Sequence, residues 1–110
     1  MKEIKKIVTQ ISGRRNKSCY ADLCYAVDVA RRYQPQEPPM SVILSETKAT
    51  AEKSELALSK ALSRAAKDIW EYGDCQELEK IYGRQVTEQP TPRELVYRLA
   101  EYVWREDHSA

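Results

Sequence analysis

The sequence predicts an all-α fold of six helices that contains a helix-turn-helix, in a single domain over residues 1–110. Three Gly and five Pro are too few for the frequent turns of an all-β protein. Apolar residues make up 42% of the chain and charged residues 32%, which is enough apolar surface for a packed core. The apolar residues recur at helical spacing, and capping residues stand at the ends of these stripes.

The first helix is predicted from one apolar stripe and one break. Its members are spaced at i, i+3, i+4 and i+7, and they are Ile4, Ile7, Val8 and Ile11. Ser12 and Gly13 end the stripe and therefore the helix.

A second helix starts at Ser18, which can cap it, and ends by Tyr33 because the prolines that follow cannot continue a helix. Its inward stripe is Leu23, Ala26, Val27 and Ala30, with Tyr20 a turn earlier. The charged side chains predicted to face solvent are Asp22, Asp28, Arg31 and Arg32.

Residues 42–44 form a brief apolar run, and residues 45–51 are predicted to form a short third helix. A long fourth helix begins near Ser54 and ends at Tyr72, and Gly73 is expected in the left-handed C-terminal cap conformation. The inward positions of the fourth helix are Leu58, Ala61, Leu62, Ala65, Ile69 and Trp70.

The last two helices have the clearest capping signals. Asp74 can cap a short fifth helix, which Gly83 closes. The sixth helix begins with Thr91 as N-cap and Pro92 at the first helical position, and Glu94 completes a capping box.

Several classes of function have no supporting motif. The sequence contains no glycine-rich phosphate loop, no HExxH motif and no nucleophile elbow, so we expect no enzyme, no metal and no cofactor. The three cysteines include no CxxC pair, which favours free thiols in a reducing compartment. No stretch resembles a secretory signal or a membrane span, so a cytoplasmic protein without a membrane partner is expected.

Charge is unevenly distributed along the chain, although the net charge is only +1. Residues 1–17 hold six basic residues and one acidic residue, a net charge of +5. Residues 68–110 hold five basic and ten acidic residues, a net charge of −5. One part of the surface could therefore approach a polyanion while another stays solvated or meets a basic partner.

The third and fourth helices, separated by a tight polar turn, have the order of a helix-turn-helix. The recognition helix would span about residues 54–72, with the small Ala61 and Ala65 packed inward. The outward side chains, which can contact bases or phosphates, are Ala57, Lys60, Ser63, Arg64 and Lys67. Solvated helix faces of this composition are also common, so the pattern alone leaves both interpretations open.

Six short motifs follow one another at fixed spacing. They are Ile4-x-x-Ile7-Val8-x-x-Ile11, Tyr20-x-x-Leu23-x-x-Ala26-Val27, Ala61-Leu62-x-x-Ala65, Trp70-x-x-Gly73-Asp74, Ile81-Tyr82-Gly83-x-x-Val86-Thr87 and Pro90-Thr91-Pro92-x-Glu94-Leu95. Their order resembles the C-terminal effector domain of the stage 0 sporulation protein A family, the response regulators that initiate endospore formation. The likeness runs nearly end to end.

The resemblance implies six helices, the third and fourth of which form a helix-turn-helix with the fourth in the DNA major groove. It also implies paired domains bound in tandem on promoter sites. Carried over by position, the recognition face consists of Leu56, Ala57, Ser59, Lys60, Ser63 and Arg64.

The chain departs from the family on this face and in its regulation. The family is dense in arginine there, with a glutamate and a histidine, whereas only Lys60 and Arg64 are basic here, so an altered DNA site is expected. Family members also carry a phosphoacceptor receiver domain, which has no counterpart in this chain. The chain is therefore either an excised fragment or a free-standing effector.

The first helix of the motif departs as well. Thr47 and Lys48 stand near positions where the family is apolar, and the turn is about one residue shorter. We expect Ala49 or Ala51 to take over the packing.

Two hypotheses follow. The first is a sequence-specific DNA-binding module of a bacterial transcription regulator, acting on double-stranded DNA as a homodimer or tandem pair. Its expected base-facing residues are Ser59, Lys60, Ser63 and Arg64, and its expected phosphate contacts are Lys53, Lys67, Arg14, Arg15 and Lys17. The second is a protein-interaction module of the same fold that pairs with a separate regulator protein, which the exposed Leu56 and the acidic C-terminal third favour.

Overall fold

The structure, a computed structural model, describes residues 1–13 and 18–108. Within these residues it contains six α-helices and no β-strand, which confirms the predicted fold class. The helices are α1 (Lys2–Ile11), α2 (Ser18–Tyr33), α3 (Met40–Ala51), α4 (Glu55–Tyr72), α5 (Cys75–Tyr82) and α6 (Pro92–Asp107).

Helix α2 lies at the centre of the fold and contacts α1, α3, α4 and α6. Nine of its sixteen residues are buried, because it meets neighbours on several sides rather than along one stripe. Helix α5 packs instead against α1 and α6. The buried apolar side chains of all these helices form one continuous cluster, in which Leu23 and Val27 are fully enclosed.

The N-caps of α5 and α6 and the glycine after α5 work as predicted, but the capping box of α6 does not close. The Asp74 carboxylate accepts from the backbone N–H groups of Gln76 and Glu77 at 3.1 and 3.2 Å, and Gly83 is left-handed with φ of 72°. The Thr91 hydroxyl accepts from the Glu94 N–H at 3.1 Å, and the Glu94 side chain is bound by an arginine rather than closing the capping box. All three cysteines are free thiols; Cys19 and Cys24 are buried as predicted, whereas Cys75 is only partly buried.

The predicted start of α3 and the predicted conformation of Gly73 are also wrong. Helix α3 begins at Met40 rather than near residue 45, so it includes the apolar run 42–44, and Ile43 is fully buried. Its start is set by the proline segment, since the Pro39 carbonyl accepts the first helical hydrogen bonds without a side-chain cap. Gly73 is not left-handed: its φ of −87° and ψ of −176° are extended.

Gly73 is required for close packing instead. A Cβ at this position would lie 2.2 Å from the carbonyl oxygen of Ile11 and 2.6 Å from that of Ile69. The next residue, Asp74, donates its N–H to the same Ile11 carbonyl at 3.3 Å. The glycine therefore lets the end of α4 approach the end of α1.

Alanine substitutions should distinguish the close packing that requires Gly73 from the left-handed conformation that favours Gly83. We expect Gly73→Ala to destabilise the fold by about 2 kcal/mol or more, because the added carbon overlaps rigid backbone. Gly83→Ala should lower the free energy of unfolding by only about 1 kcal/mol, the cost of placing an L side chain in the left-handed conformation. Nothing lies within 4 Å of the new carbon, so no overlap adds to this cost. Urea unfolding followed by circular dichroism measures both, and equal losses would contradict the packing role of Gly73.

Candidate nucleic-acid interface

Helices α3 and α4 contact each other and are joined by residues 52–54 alone. Glu52 adopts the left-handed conformation with φ of 57°, and the N–H of Lys53 donates to the carbonyl of Lys48 at 3.3 Å. The N–H of Glu52 donates to the same Lys48 carbonyl, so α3 ends in a left-handed cap of the αL kind. It reverses the chain sharply, which gives a three-residue connection of the helix-turn-helix kind.

Ser54 then caps α4, since its hydroxyl accepts from the Ala57 N–H at 3.1 Å. The first turn of α4 is open to solvent at Glu55 and Leu56. The start of α4 is therefore accessible. In a recognition helix, this is the part that contacts base edges.

Thr47 takes a buried position on α3, near which the family that the chain resembles is apolar. It is completely enclosed, and its hydroxyl donates to the Ile43 carbonyl at 2.6 Å, so its polar atom needs no partner outside the helix. The expectation that Ala49 or Ala51 replaces it is wrong, because Ala49 is exposed and Ala51 is only partly buried.

The two faces of α4 separate as predicted. Its inward side chains are fully or almost fully buried at Leu58, Ala61, Leu62, Ala65 and Ile69, while Trp70 is half-buried. Its exposed side chains include the predicted contact residues Ser59, Lys60, Ser63, Arg64 and Lys67, whereas Ala57, also predicted to face outward, is only partly exposed. The structure thus brings these five side chains onto one solvent-facing surface, which we call the outer face of α4.

Asp22 contradicts the sequence prediction that it faces solvent. Its residue is only 3% exposed, and its carboxylate accepts from the ammonium of Lys53 at 2.6 Å. Burying a carboxylate is costly unless a cation pairs with it, so the contact ties the turn of the helix-turn-helix to α2. The helical spacing does indicate that Asp22 faces inward, because Asp22 lies three residues after the buried Cys19 and four before the buried Ala26.

Asp68 forms a second buried contact between α4 and α2. Its carboxylate accepts from the Tyr20 hydroxyl at 2.5 Å, and that hydroxyl in turn accepts from the Gly13 N–H at 3.1 Å. Burial raises the pKa of Tyr20, and the Asp68 carboxylate raises it further because it holds the phenolic proton. Sequence reasoning missed Asp68 although it follows the buried Ala65 by three residues.

The basic side chains of the helix-turn-helix differ in how they are paired. Among the described residues, Lys60 and Arg64 form no ion pair. Lys67 lies 3.9 Å from the Glu71 carboxylate, and both side chains are well exposed, so this pair is weak. Lys53 is committed to Asp22, with one third of its side chain exposed.

The three other predicted phosphate contacts, Arg14, Arg15 and Lys17, lie outside the described residues. Gly13, which precedes them, packs against the end of α4 near Asp68 and Tyr72. Their role remains a prediction.

The part of the chain that the structure describes offers neither a metal site nor a membrane-spanning helix. Residues 1–13 and 18–108 contain no cluster of His, Cys, Asp or Glu that could hold a metal ion. Over the same ranges, no helix combines the length and the apolar character needed to cross a bilayer. A shallow groove of about 210 Å³ runs beside the outer face, lined by Arg64, Lys67, Asp68, Glu71 and Tyr72.

No family model matches the chain, and no curated protein matches it significantly. The resemblance to the sporulation effector family therefore rests on the order and spacing of its motifs.

The contact between Lys53 and Asp22 can be tested by stability. We expect Lys53→Met to lower the free energy of unfolding by about 2 kcal/mol, because it leaves a buried carboxylate without its cation. Lys48→Met is the matched control: Lys48 pairs with Glu55 at 3.7 Å, but both side chains are about half exposed, so its loss should cost less than about 0.5 kcal/mol. Equal destabilisation of the two variants, measured by urea unfolding, would show that the pair does not hold the turn.

Proposed function

We propose that the chain is a sequence-specific DNA-binding module of a bacterial transcription regulator, with α4 in the major groove. The observation that carries this proposal is that Lys60 and Arg64 are exposed and, in the part of the chain that the structure describes, not engaged in ion pairs. Both are exposed on the outer face of the second helix of a helix-turn-helix, and neither forms an ion pair within the described residues.

Unpaired cations matter because the other basic side chains of α3, the turn and α4 are occupied. Ion pairs engage three of the five basic residues of this segment, namely Lys48, Lys53 and, weakly, Lys67. A cation without a partner gives up no protein contact when it binds a phosphate or a guanine edge. Lys60 and Arg64 are therefore the residues of α4 best prepared to meet DNA.

The way α4 is held also supports the proposal. Its inner face is apolar and close-packed, and polar contacts to α2 tie the turn before it through Lys53 and its C-terminal half through Asp68. A helix fixed in this way can present its outer face without rearrangement, which reduces the entropic cost of binding. Ser59 and Ser63 are small enough to let this face approach bases closely.

The resemblance supplies the biological setting of the proposal. It favours binding as a homodimer or tandem pair on promoter DNA, in a sporulation regulator whose effector domain has changed its target site. The departures on the outer face support the altered specificity, because losing a bidentate arginine costs about 1–3 kcal/mol of discrimination.

A protein-interaction module is the second candidate, and one observation favours it. Leu56 is 67% exposed and Tyr72 is 54% exposed, at the two ends of α4. These are the two large apolar side chains that the described residues leave exposed. A separate regulator protein could cover them without any contact to DNA.

Alanine substitutions on the outer face distinguish base contacts from phosphate contacts. On a duplex selected for binding, Arg64→Ala should weaken affinity roughly 5- to 150-fold and relax the preference at one base position. Lys67→Ala should weaken all sequences alike and reduce the slope of log affinity against log salt by about 0.9. Fluorescence anisotropy over a range of salt concentrations measures both effects.

Lys80→Ala is the control for charge alone, since Lys80 is an exposed lysine on α5. It should leave both the preference and the salt slope nearly unchanged. Unaltered binding of the selected site by Arg64→Ala would contradict the assignment of α4 as the reading helix.

A further inference from the structure

Leu56 is a large apolar side chain in the first turn of α4, next to the polar outer face of this helix. It is 67% exposed and does not belong to the hydrophobic core cluster or to the side chains packed against it. The core below it is complete without it, since Leu58 and Leu62 of the same helix are fully or almost fully buried. Its side chain is therefore not part of the packed core.

The position of Leu56 relates it to the basic residues of the outer face. Leu56, Lys60, Ser63 and Lys67 are spaced at i, i+4, i+7 and i+11, so they form one straight row along α4. Leu56 lies in the first helical turn, where a recognition helix meets base edges. An apolar side chain in such a row can recognise only one feature of the major groove, the C5-methyl group of thymine.

We propose that Leu56 reads a thymine methyl group and is a specificity-determining residue of the DNA site. This inference rests on the proposed function, because it places the same helix in the same groove. The rise of a helix separates Leu56 from Lys60 by about 6 Å along the axis, which is less than two base-pair steps. The thymine should therefore lie within about two base pairs of the base that Lys60 contacts.

The test uses the 110-residue chain and a duplex obtained by selection. Each thymine of the duplex is replaced in turn by deoxyuridine, which removes only the methyl group. For the wild-type chain, one replacement should weaken binding about fourfold, the effect of withdrawing one buried methyl-sized group. Leu56→Ala should bind the thymine and deoxyuridine duplexes equally well at that position.

Tyr72→Ala is the matched control, since it also removes an exposed apolar side chain from α4. It should retain the discrimination of the wild-type chain between thymine and deoxyuridine. Circular dichroism verifies that both variants keep their helical content, as expected for exposed positions.

The outcomes separate this inference from the proposed function. If the wild-type chain binds a selected duplex but no deoxyuridine replacement weakens it, or Leu56→Ala discriminates as well as the wild type, the assignment of Leu56 is wrong and the DNA-binding function stands. If the wild-type chain binds no duplex at low salt, the proposed function is wrong and the assignment is wrong with it. In that case, if the chain forms a defined complex with another protein and Leu56→Ala abolishes this complex, Leu56 is a protein contact.

Discussion

The buried ion pair between Asp22 and Lys53 is the contact on which the presentation of α4 depends. A carboxylate that is 3% exposed is stable only with a cation beside it, and the cation here comes from the turn that precedes α4. Tyr20, two residues earlier on α2, binds Asp68 in the C-terminal half of α4. Two residues of the central helix thus anchor both the turn before α4 and its C-terminal half, in addition to the apolar packing between the two helices.

This arrangement divides the basic residues of the helix-turn-helix by role. Lys53 holds the structure together through Asp22, whereas Lys60 and Arg64 are left without an ion-pair partner among the described residues. Positive charge on one short segment therefore serves both folding and, in the proposed function, recognition. The turn achieves its tight reversal without glycine, since Glu52 itself adopts the left-handed conformation.

Sequence reasoning predicted the elements whose signals are local. Thr91, Pro92 and Asp74 determine helix starts through hydrogen bonds and ring geometry within a few residues, so these boundaries are confirmed. It failed where tertiary contacts decide. Helix α3 begins directly after Pro39 and buries Ile43 in the core, and Gly73 is needed for the approach of α4 to α1. The charge of Asp22 and Asp68 obscured their inward helical spacing. The outer face of α4 was predictable because helical periodicity alone separates it from the core.

The most direct test of the proposed function is fluorescence anisotropy of the chain with a pool of random DNA duplexes at low and moderate salt, followed by selection and sequencing. The account predicts retention at low salt, a steep loss of affinity as salt displaces the contacts to phosphate, and a recovered consensus sequence. Absence of any retention at low salt, together with a defined dimer or heteromer of the chain, would contradict it. The outer face of α4 would then be a protein-binding surface.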